Sequence, residues 1–522
     1  MSGLRVENLS LSIGDAPILR DVNMGLAPGK VLGVVGESGS GKSLTALSVT
    51  GLLPVGSKRA GRVTLDDQVL SDLSEPALCR VRGAQIGMIF QEPMTALNPV
   101  KTIGAQVAET LIIHGAASRR AARLIAGDTL RRVGLDPETV SADRYPHELS
   151  GGQRQRVCIA LAIALKPVLL IADEPTTALD VTTQAQILDL LKQLVDEDSM
   201  ALMLITHDLA VVAGMADDVV VMRNGAVVEA GPTRMVLTAQ SEAYTRSLIR
   251  ASTHQPKRNP VARQALLLEV RDVVRDYPGA RRGVFGRDDP FRAVDQVSFT
   301  LRKGESLGLV GESGCGKSTL TRALLGLDPI QGGSIRLEGG DVGVDMPSDL
   351  RQRMQVVFQD PYGSFNPRHR VGRLISEPFY LSPPKDDPAK LVADALEAVG
   401  LQASDAGKFP HEFSGGQRQR IAIARALITQ PDLIVLDEAV SALDVSVRAQ
   451  ILDLLAFLQN EFDLSYLFIS HDLTVVQAIT DRVMVMKSGQ IVEAGTTDDV
   501  FRAPKHPYTR NLLKAAPKLA VA

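Results

Sequence analysis

The sequence lacks the features that define several classes of protein. It has no tryptophan and only three cysteines, Cys79, Cys158 and Cys315, none of them in a Cys-x-x-Cys pair. Three scattered cysteines cannot form a disulfide framework, and they lack the spacing of a zinc site. The cysteine content therefore favours a chain that works in a reducing cytoplasm.

A strong net charge is also lacking. Lysine and arginine number 57 against 60 aspartate and glutamate, which leaves a net charge of only −3. A protein that grips a nucleic-acid backbone usually carries a broad basic surface. The charge balance therefore predicts no nucleic-acid partner.

Long hydrophobic runs are missing as well. The longest apolar stretch, VCIALAIALKPVLLIAD, is interrupted at Lys166 and Pro167, whereas a membrane-spanning helix needs about 20 apolar residues. The N-terminal MSGLRVENLS has no basic stretch followed by an apolar core, so no secretory signal is predicted. We expect a chain that does not cross a membrane unaided.

The sequence does contain a long internal repeat. GESGSGKSLT (36–45) matches GESGCGKSTL (311–320), an offset of 275 residues, and three further pairs follow in the same order: FQEPMTALNP with FQDPYGSFNP, PHELSGGQRQR with PHEFSGGQRQR, and ITHDL with ISHDL. A chain of 522 residues is too long for one hydrophobic core. We predict a first domain at 1–250, a polar, proline-bearing and exposed linker at 251–265, and a second domain at 266–522.

Each copy has the pattern of an α/β domain. Short β-branched runs such as VLGVVG, LLIAD and ALMLIT alternate with amphipathic helical stretches, which is typical of a mostly parallel sheet covered by helices. The stretches 92–149 and 360–413 contain helical patterns but few strand runs. They predict a helical subdomain inserted into each sheet domain.

The repeated loops predict two sites for a nucleoside triphosphate. Each matches G-x-x-x-x-G-K-[ST] after a predicted strand, where glycines let backbone N–H groups approach phosphate and the lysine meets the β- and γ-phosphates. The serine after the lysine is a ligand for Mg²⁺. The predicted binding residues are Gly36, Ser38, Gly39, Gly41, Lys42, Ser43 and Leu44, and Gly311, Ser313, Gly314, Gly316, Lys317, Ser318 and Thr319.

Two buried strands end in paired carboxylates. LLIADE ends at Asp173 and Glu174, and LIVLDE ends at Asp437 and Glu438. In this arrangement the aspartates would hold the Mg²⁺ shell and the glutamates could polarise an attacking water.

A second kind of anion-binding site is predicted at two helix starts. Ser150 and Ser414 occupy N-cap positions, two glycines expose the backbone, and a helical stretch follows. The predicted binding residues are Ser150, Gly151, Gly152 and Gln153, and Ser414, Gly415, Gly416 and Gln417. In both copies 23 residues separate the serine from the strand-end aspartate, so the motifs form one repeated set.

Together these motifs resemble the ATP-binding-cassette (ABC) ATPases over nearly all of both halves. The resemblance implies two tandem P-loop domains, each with a mostly parallel sheet, an antiparallel β subdomain and an inserted helical subdomain. It implies that Gln91 and Gln359 contact Mg²⁺ and signal to membrane domains, that Asp180 and Asp444 belong to D-loops, and that His207 and His471 are catalytic switch histidines. Both histidines follow the strand-end aspartate by 34 residues. The implied Mg²⁺ set is Ser43, Gln91 and Asp173, with Ser318, Gln359 and Asp437.

The resemblance also explains the duplication. In the family, ATP bound at one P-loop is closed by the serine motif of the opposite half. One ATP would lie between Lys42 and Ser414 and the other between Lys317 and Ser150. Covalent fusion makes that closure intramolecular.

The two halves differ at the position of the family's adenine-stacking aromatic residue. Alignment of LRVENLSLSI with LEVRDVVRDY places Ile13 opposite Tyr277. Base–aromatic stacking contributes about 1–3 kcal/mol per base in nucleic-acid binders. We predict weaker ATP binding in the first half, unless another side chain substitutes, and hydrolysis at both sites because both glutamates are present.

Several features resemble the dipeptide, oligopeptide and nickel uptake subfamily, including the stretches after Gln91 and Gln359 and the tails AYTRSLIRA and HPYTRNLLKAAP. The tails could serve either helix capping or a substrate-related role. The resemblance implies an importer ATPase at the cytoplasmic face of the inner membrane, with two permease subunits and an extracytoplasmic binding protein. Peptides are the favoured cargo, ahead of nickel, glutathione-like peptides and glycosides. The alternative is a tandem-cassette ATPase acting on the ribosome or nucleic acid, which the short linker and the lack of zinc cysteines disfavour.

Overall fold

We describe the protein from a computed structural model. The structure describes residues 3–177, 179–258, 265–279, 281–282, 286–287, 289–380, 383–441 and 443–519. The chain divides into two compact units, and the main boundary between them along the sequence lies between Thr253 and His254.

The first unit contains two sheets. Its strands are β1 (Leu4–Ile13), β2 (Ala16–Leu26), β3 (Val31–Val35), β4 (Ser57–Leu65), β5 (Gln68–Val69), β6 (Ile86–Ile89), β7 (Leu169–Asp173), β8 (Ala201–Ile205), β9 (Asp218–Arg223) and β10 (Ala226–Pro232). An antiparallel sheet has the order β2-β1-β4-β5, and a larger sheet has the order β10-β9-β3-β8-β7-β6. The larger sheet is parallel except for β10, which pairs antiparallel with β9.

Helices cover both faces of the larger sheet in the first unit. They are α1 (Lys42–Thr50), α2 (Glu75–Val81), α3 (Pro93–Ala96), α4 (Ile103–Ile113), α5 (Arg119–Arg132), α6 (Gly151–Ile163), α7 (Val181–Asp198), α8 (Leu209–Met215), α9 (Thr233–Ala239) and α10 (Ala243–Ser252), with short 3₁₀ helices at Leu70–Asp72 and Pro146–Glu148. Leu169 and Ile171 pack with the antiparallel sheet and α1, whereas Leu170 and Ala172 pack with α4 to α7. The alternation along β7 thus divides the core into two layers.

The second unit repeats this arrangement. Its strands are β11 (Leu266–Tyr277), β12 (Arg281–Arg282), β13 (Gly286–Arg287), β14 (Phe291–Arg302), β15 (Ser306–Val310), β16 (Gly332–Leu337), β17 (Gly340–Asp341), β18 (Met354–Val357), β19 (Leu433–Asp437), β20 (Ser465–Ile469), β21 (Arg482–Lys487) and β22 (Gln490–Thr496). The sheet orders are β14-β11-β16-β17 and β18-β19-β20-β15-β21-β22, and β12 pairs with β13.

The helices of the second unit follow the same sequence of elements. They are α11 (Lys317–Leu324), α12 (Ser348–Gln352), α13 (Pro361–Ser364), α14 (Val371–Ile375), α15 (Pro388–Ala398), α16 (Gly415–Leu427), α17 (Val445–Phe462), α18 (Leu473–Ile479), α19 (Thr497–Arg502) and α20 (Pro507–Ala515), with 3₁₀ helices at Glu377–Tyr380, Ala403–Gly407 and Pro410–Glu412. The α/β fold, with its antiparallel β subdomain and inserted helices, is confirmed.

Parallel pairing brings the functional motifs to one edge of each large sheet. The central strands β3, β7 and β8 are buried throughout, as expected for strands covered on both faces. The loop 36–41 follows β3, Asp173 ends β7, and His207 comes two residues after β8. Because these parallel strands end at the same edge, residues far apart in the sequence converge there.

The predicted linker is not simply an exposed connection. Helix α10 extends to Ser252, inside the range 251–265. His254 Nε2 lies 2.7 Å from Asp453 Oδ1, Pro256 is buried, and Arg258 donates to Asp481 at 3.0 Å. Residues 254–258 therefore pack on the second unit through specific polar contacts, and residues 259–264 lie outside the described part of the chain.

None of the helices in the described part of the chain combines the length and the apolar character needed to cross a bilayer.

Candidate functional site

The two predicted phosphate-binding loops, 36–43 and 311–318, are here called phosphate-type loops. The first of them surrounds a buried lysine. Lys42 is 6% exposed, and its Nζ donates to the carbonyl oxygens of Gly36 (2.8 Å) and Glu37 (3.0 Å). Burial lowers the pKa of Lys42, although the charges of Glu174 and Asp173 oppose that shift. The loop thus holds a cation beside two acidic side chains.

Gly36 is required by a close backbone approach. Its φ is 154°, and a Cβ at this position would lie 2.2 Å from the carbonyl oxygen of Met222 on β9. A side chain would push the loop away from the strand.

The second loop has the same geometry. Lys317 is also 6% exposed, and its Nζ donates to Gly311 O at 2.7 Å and Glu312 O at 2.9 Å. The predicted binding residues divide between loop and helix in both halves: Ser38 and Ser313 lie in the loops with the predicted glycines, and Leu44 and Thr319 lie on α1 and α11 with the lysines and following serines.

In the first half the predicted metal ligands lie close together. Ser43 Oγ donates to Asp173 Oδ1 at 3.1 Å, and Gln91 Nε2 donates to Glu174 Oε2 at 3.1 Å. Thr177 Oγ1 donates to the same Glu174 oxygen at 2.9 Å. The structure therefore brings Ser43, Gln91, Asp173 and Glu174 into one hydrogen-bonded neighbourhood.

The second half has fewer of these contacts. Within the described residues, Ser318 and Asp437 form no hydrogen bond with each other, and Gln359 forms none with Glu438. Ser441 Oγ donates to the backbone oxygen of Glu438 at 2.8 Å rather than to its carboxylate.

Each histidine lies beside the glutamate of its own half. His207 Nδ1 lies 3.4 Å from Glu174 Oε1, and His471 Nδ1 lies 3.1 Å from Glu438 Oε1. Both glutamate side chains are mostly buried, at 15% and 21% exposure.

In each half, the pKa values of the adjacent aspartate and glutamate shift in opposite directions. Burial would raise the pKa of Glu174, but the hydrogen bond and charge of His207, together with the Thr177 hydrogen bond and the charge of Lys42, lower it to about 2. Burial would also raise the pKa of Glu438, but the hydrogen bond and charge of His471 and the charge of Lys317 together lower it. Burial and the adjacent Glu438 raise the pKa of Asp437 to about 6. Burial also raises the pKa of Asp173, against the Ser43 hydrogen bond. Each glutamate is therefore an anion at neutral pH.

Both glutamates have a left-handed backbone conformation. Their φ values are 48° and 51°, and their N–H groups donate to Ile205 O at 2.9 Å and Ile469 O at 2.8 Å. This conformation is unfavourable for a residue with a Cβ. The backbone leaves the strand direction at this residue, which the sequence pattern did not reveal.

The serine motifs form capped helix starts. Ser150 Oγ accepts from Gln153 N at 3.3 Å, and Gln153 Oε1 accepts from Ser150 N at 3.0 Å. Ser414 and Gln417 repeat both bonds, at 3.4 and 3.0 Å. Gly151 and Gly415 are exposed, as are both serines. Such exposed helix N-termini can accept an anion.

The second glycine of this motif permits close packing. A Cβ on Gly152 would lie 2.4 Å from Thr183 Cγ2 on α7, and one on Gly416 would lie 2.4 Å from Val447 Cγ1 on α17. The helix start can therefore lie directly against the helix that follows the acidic strand.

The remaining predicted residues lie at element ends. Asp180 caps α7 and accepts from Thr183 N at 3.0 Å, and Asp444 directly precedes α17. Ala178 and Ala442, two residues before these aspartates, lie outside the described residues. Tyr277 ends β11, with the guanidinium of Arg275 4.8 Å from its ring centroid.

Sequence reasoning missed four polar residues that contact the motifs. Thr177 and Ser441 contact the glutamates, and Tyr244 and Tyr508 contact the phosphate-type loops. Thr177 and Ser441 stand three residues after the glutamates, a spacing that could have suggested the contact. The tyrosines lie in the quoted tails, but nothing in the tails indicated the loops.

Known protein families match both halves. The family described as ABC transporter matches residues 19–177 and 294–441, and the family described as oligopeptide/dipeptide transporter, C-terminal region, matches residues 492–522. These matches cover more than half of the chain.

Similar proteins extend the comparison to the whole length. The chain is 47% identical to the glutathione import ATP-binding protein GsiA of Shigella sonnei (strain Ss046) and to that of Escherichia coli (strain K12). Each alignment covers 98% of this chain and 89% of the relative. A solved structure, the dimeric post-hydrolysis state of the ATP-binding cassette MJ0796 bound to ADP and Pi, shows 32% identity and a TM-score of 0.40, covering 44% of this chain and 98% of that one.

The repeated loops, acidic strand ends and capped serines thus occur in a chain whose two halves each match one family, and whose full length aligns with ATP-binding relatives. The chain belongs to the ABC transporter family, as an ATP-binding ATPase with two cassettes in tandem.

Proposed function

We propose that this chain is the ATP-hydrolysing subunit of an importer that takes up small peptides. The 47% identity to glutathione import ATP-binding proteins over 98% of the chain supports this function most strongly. Glutathione is itself a small peptide, and the C-terminal match to the oligopeptide/dipeptide transporter region agrees with that class of cargo. The same relatives favour transport over action on the ribosome or nucleic acid.

In each half, the lysine binds the phosphates and the glutamate accepts the proton of the attacking water. Lys42 and Lys317 lie in the loops that would cradle the phosphates. Glu174 and Glu438 are partly buried anions, each oriented by one histidine. A buried carboxylate that is ionised at neutral pH keeps its oxygens free to accept hydrogen bonds and can therefore orient the attacking water.

Mg²⁺ fits the residues of the first half. Ser43 Oγ and Asp173 Oδ1 are 3.1 Å apart, and hydroxyl and carboxylate oxygens are the hard ligands that Mg²⁺ prefers. In the first half, Asp173 would hold the ion together with Ser43 and Gln91. In the second half, Asp437 would hold it together with Ser318 and Gln359. When bound, Mg²⁺ neutralises phosphate charge.

The exposed serine-capped helix starts would complete the two sites. We infer that Ser414 closes the ATP bound at Lys42 and that Ser150 closes the ATP bound at Lys317, with Asp180 and Asp444 in the adjoining loops. The support is that each half contains one loop and one exposed anion-binding helix start.

The partners would be two permease subunits, with Gln91 and Gln359 transmitting the nucleotide state to them, and an extracytoplasmic binding protein that delivers the peptide. The chain itself would be a peripheral subunit at the cytoplasmic face of the inner membrane, reaching the bilayer through the permeases.

The deciding experiment is to isolate the chain with its membrane partners and to identify the ligand of the associated binding protein by mass spectrometry. The complex is then placed in liposomes, and ATP hydrolysis is measured with the binding protein, with and without that ligand. We expect a small peptide to stimulate hydrolysis, and we expect the Glu174→Gln/Glu438→Gln variant to remove the stimulated rate. Recovery of the chain on ribosomes, or stimulation by a non-peptide solute alone, would contradict the proposal.

A further inference from the structure

The tail helix of each half places one tyrosine against the phosphate-type loop of the same half. Tyr244, on α10, accepts a hydrogen bond at its Oη from the backbone N–H of Glu37 at 3.3 Å. Tyr508, on α20, accepts one from the N–H of Glu312 at 3.1 Å. The pairs are 207 and 196 residues apart in sequence, and the contact is made in both halves.

The contacted residue also orients the lysine. The carbonyl oxygen of Glu37 accepts from Lys42 Nζ at 3.0 Å and from Ser40 N at 3.1 Å. In the second half, Glu312 O accepts from Lys317 Nζ at 2.9 Å and from Cys315 N at 3.3 Å. The tyrosine therefore binds the N–H group of the same residue whose carbonyl oxygen accepts a hydrogen bond from the lysine.

The two rings are themselves held in place. Tyr244 and Tyr508 are each 7% exposed. The guanidinium of Arg223 lies 4.7 Å from the Tyr244 ring centroid, and Lys487 Nζ lies 4.9 Å from the Tyr508 centroid. Both cations end equivalent strands, β9 and β21, so each ring is packed under a cation–π contact.

A glutamate on the neighbouring strand fixes the start of each tail helix. Glu229 on β10 accepts from Ser241 N at 3.1 Å and from Glu242 N at 3.4 Å. Glu493 on β22 accepts from Lys505 N at 2.7 Å and from His506 N at 3.0 Å. The tyrosine thus projects from a helix start that is tied to the same sheet as the loop.

We propose that Tyr244 and Tyr508 are positioning residues for ATP binding, which hold the second residue of each phosphate-type loop and through it the loop lysine. This inference rests on the proposed nucleotide function of the loops. It assigns to the tails a role that is neither simple helix capping nor contact with the transported solute.

The hydroxyl group is the part of the side chain that tests this assignment. Phenylalanine keeps the ring, the packing and the cation–π contact but leaves the loop N–H without its partner. An unsatisfied, partly buried N–H destabilises the conformation that contains it. Each Tyr→Phe substitution should therefore disturb the position of the loop while leaving the packing of the ring unchanged.

The first measurement is hydrogen exchange of the full-length, nucleotide-free protein. Tyr244→Phe should speed exchange in the peptide spanning 36–42 and leave the peptide spanning 311–317 unchanged, and Tyr508→Phe should do the reverse. The matched control is Tyr466→Phe, which removes a buried hydroxyl that donates to Leu455 O at 2.9 Å, away from both loops. Loop exchange equal to that of the control in both variants overturns the inference.

The second measurement is ATP affinity at one site at a time. Tyr244→Phe is compared in a Lys317→Ala background and Tyr508→Phe in a Lys42→Ala background. We expect affinity at the matching site to weaken about 3- to 10-fold, the effect of one lost hydrogen bond. Affinities equal to those of the parent backgrounds overturn the inference. Faster loop exchange in a chain whose parent binds no ATP supports the contact with the loop and contradicts the proposed nucleotide function instead.

Discussion

The two cassettes share motif spacing but differ in how their catalytic carboxylates are held. In the first half, Gln91, Thr177 and His207 all contact the Glu174 carboxylate. In the second, His471 is the one hydrogen-bond or ion-pair partner of the Glu438 carboxylate within the described residues. Of the contacts to this carboxylate in the described residues, the histidine–glutamate pair is the one that both halves share.

The region where the adenine base is predicted to lie, called the base end here, shows the opposite difference: its polar and aromatic groups lie in the second half. Tyr277 lies under Arg275, and Arg322 donates two hydrogen bonds to Asp328, at 2.9 and 3.0 Å. The Arg322 hydrogen bond is the main cause of the lowered pKa of Asp328, and Tyr277 lowers it further. The aligned positions of the first half are apolar: Leu11, Ile13, Leu47 and Leu53. The first half is thus better connected around the acids, and the second half offers an aromatic and charged surface where adenine is predicted to lie.

The largest expected effect is loss of the two glutamates, which should affect both halves. Glu174→Gln and Glu438→Gln keep the size of the side chain but remove the proton acceptor. General-base catalysis contributes about 10²- to 10⁴-fold, so the double variant should hydrolyse ATP at least about 100-fold more slowly and should retain bound ATP. Steady-state hydrolysis and retained radiolabelled ATP provide the measurements.

Glu109→Gln is a suitable control, because Glu109 pairs with Lys101 at the surface of α4, at 45% side-chain exposure. An unchanged rate in the double glutamate variant, with this control also unchanged, would remove the glutamates from the mechanism.

The histidines should have unequal effects because the glutamates have unequal numbers of partners. His471→Ala removes the partner of the Glu438 carboxylate and should lower kcat about 10- to 100-fold, the range for a charge-assisted hydrogen bond. His207→Ala leaves Gln91 and Thr177 on Glu174 and should lower kcat less. Each variant is measured with the opposite glutamate changed to glutamine. Equal losses in both halves would show that the additional contacts of Glu174 do not matter for hydrolysis.

Much of this arrangement could be predicted from local sequence. The apolar runs LLIAD and ALMLIT predicted β7, which ends at Asp173, and β8, which ends two residues before His207. The capping of α6 by Ser150 followed from residue type alone.

What could not be predicted depends on three-dimensional contacts. The left-handed φ of Glu174 occurs together with a hydrogen bond from its N–H to Ile205 O on the neighbouring strand. The Tyr244 contact joins residues 207 apart, and no local pattern encodes such a distance. The difference between Thr177 and Ser441 lies in which acceptor their hydroxyl reaches, which depends on rotamer and neighbouring atoms.

The base end should give a smaller, opposite asymmetry. Tyr277→Ala should weaken ATP binding in the second half about tenfold, within the range for base–aromatic stacking, while Ile13→Tyr should strengthen binding in the first. Affinities are compared in Lys42→Ala and Lys317→Ala backgrounds, with a triphosphate lacking a base as the control ligand, whose affinity should not change. If the unmodified sites bind ATP equally, the difference between Ile13 and Tyr277 has no energetic role.

The smallest effect concerns the residue three positions after each glutamate. Thr177→Val has almost the same shape but removes the hydroxyl that donates to Glu174 Oε2 at 2.9 Å, so kcat of the first half should fall about fivefold, the effect of about 1 kcal/mol. Ser441→Ala removes a bond to the backbone oxygen of Glu438 only and should change kcat of the second half less than about twofold on the same scale. Single-site hydrolysis rates distinguish the two. If Ser441→Ala loses more activity than Thr177→Val, the backbone conformation of the glutamate matters more for hydrolysis than the hydrogen bonds to its carboxylate.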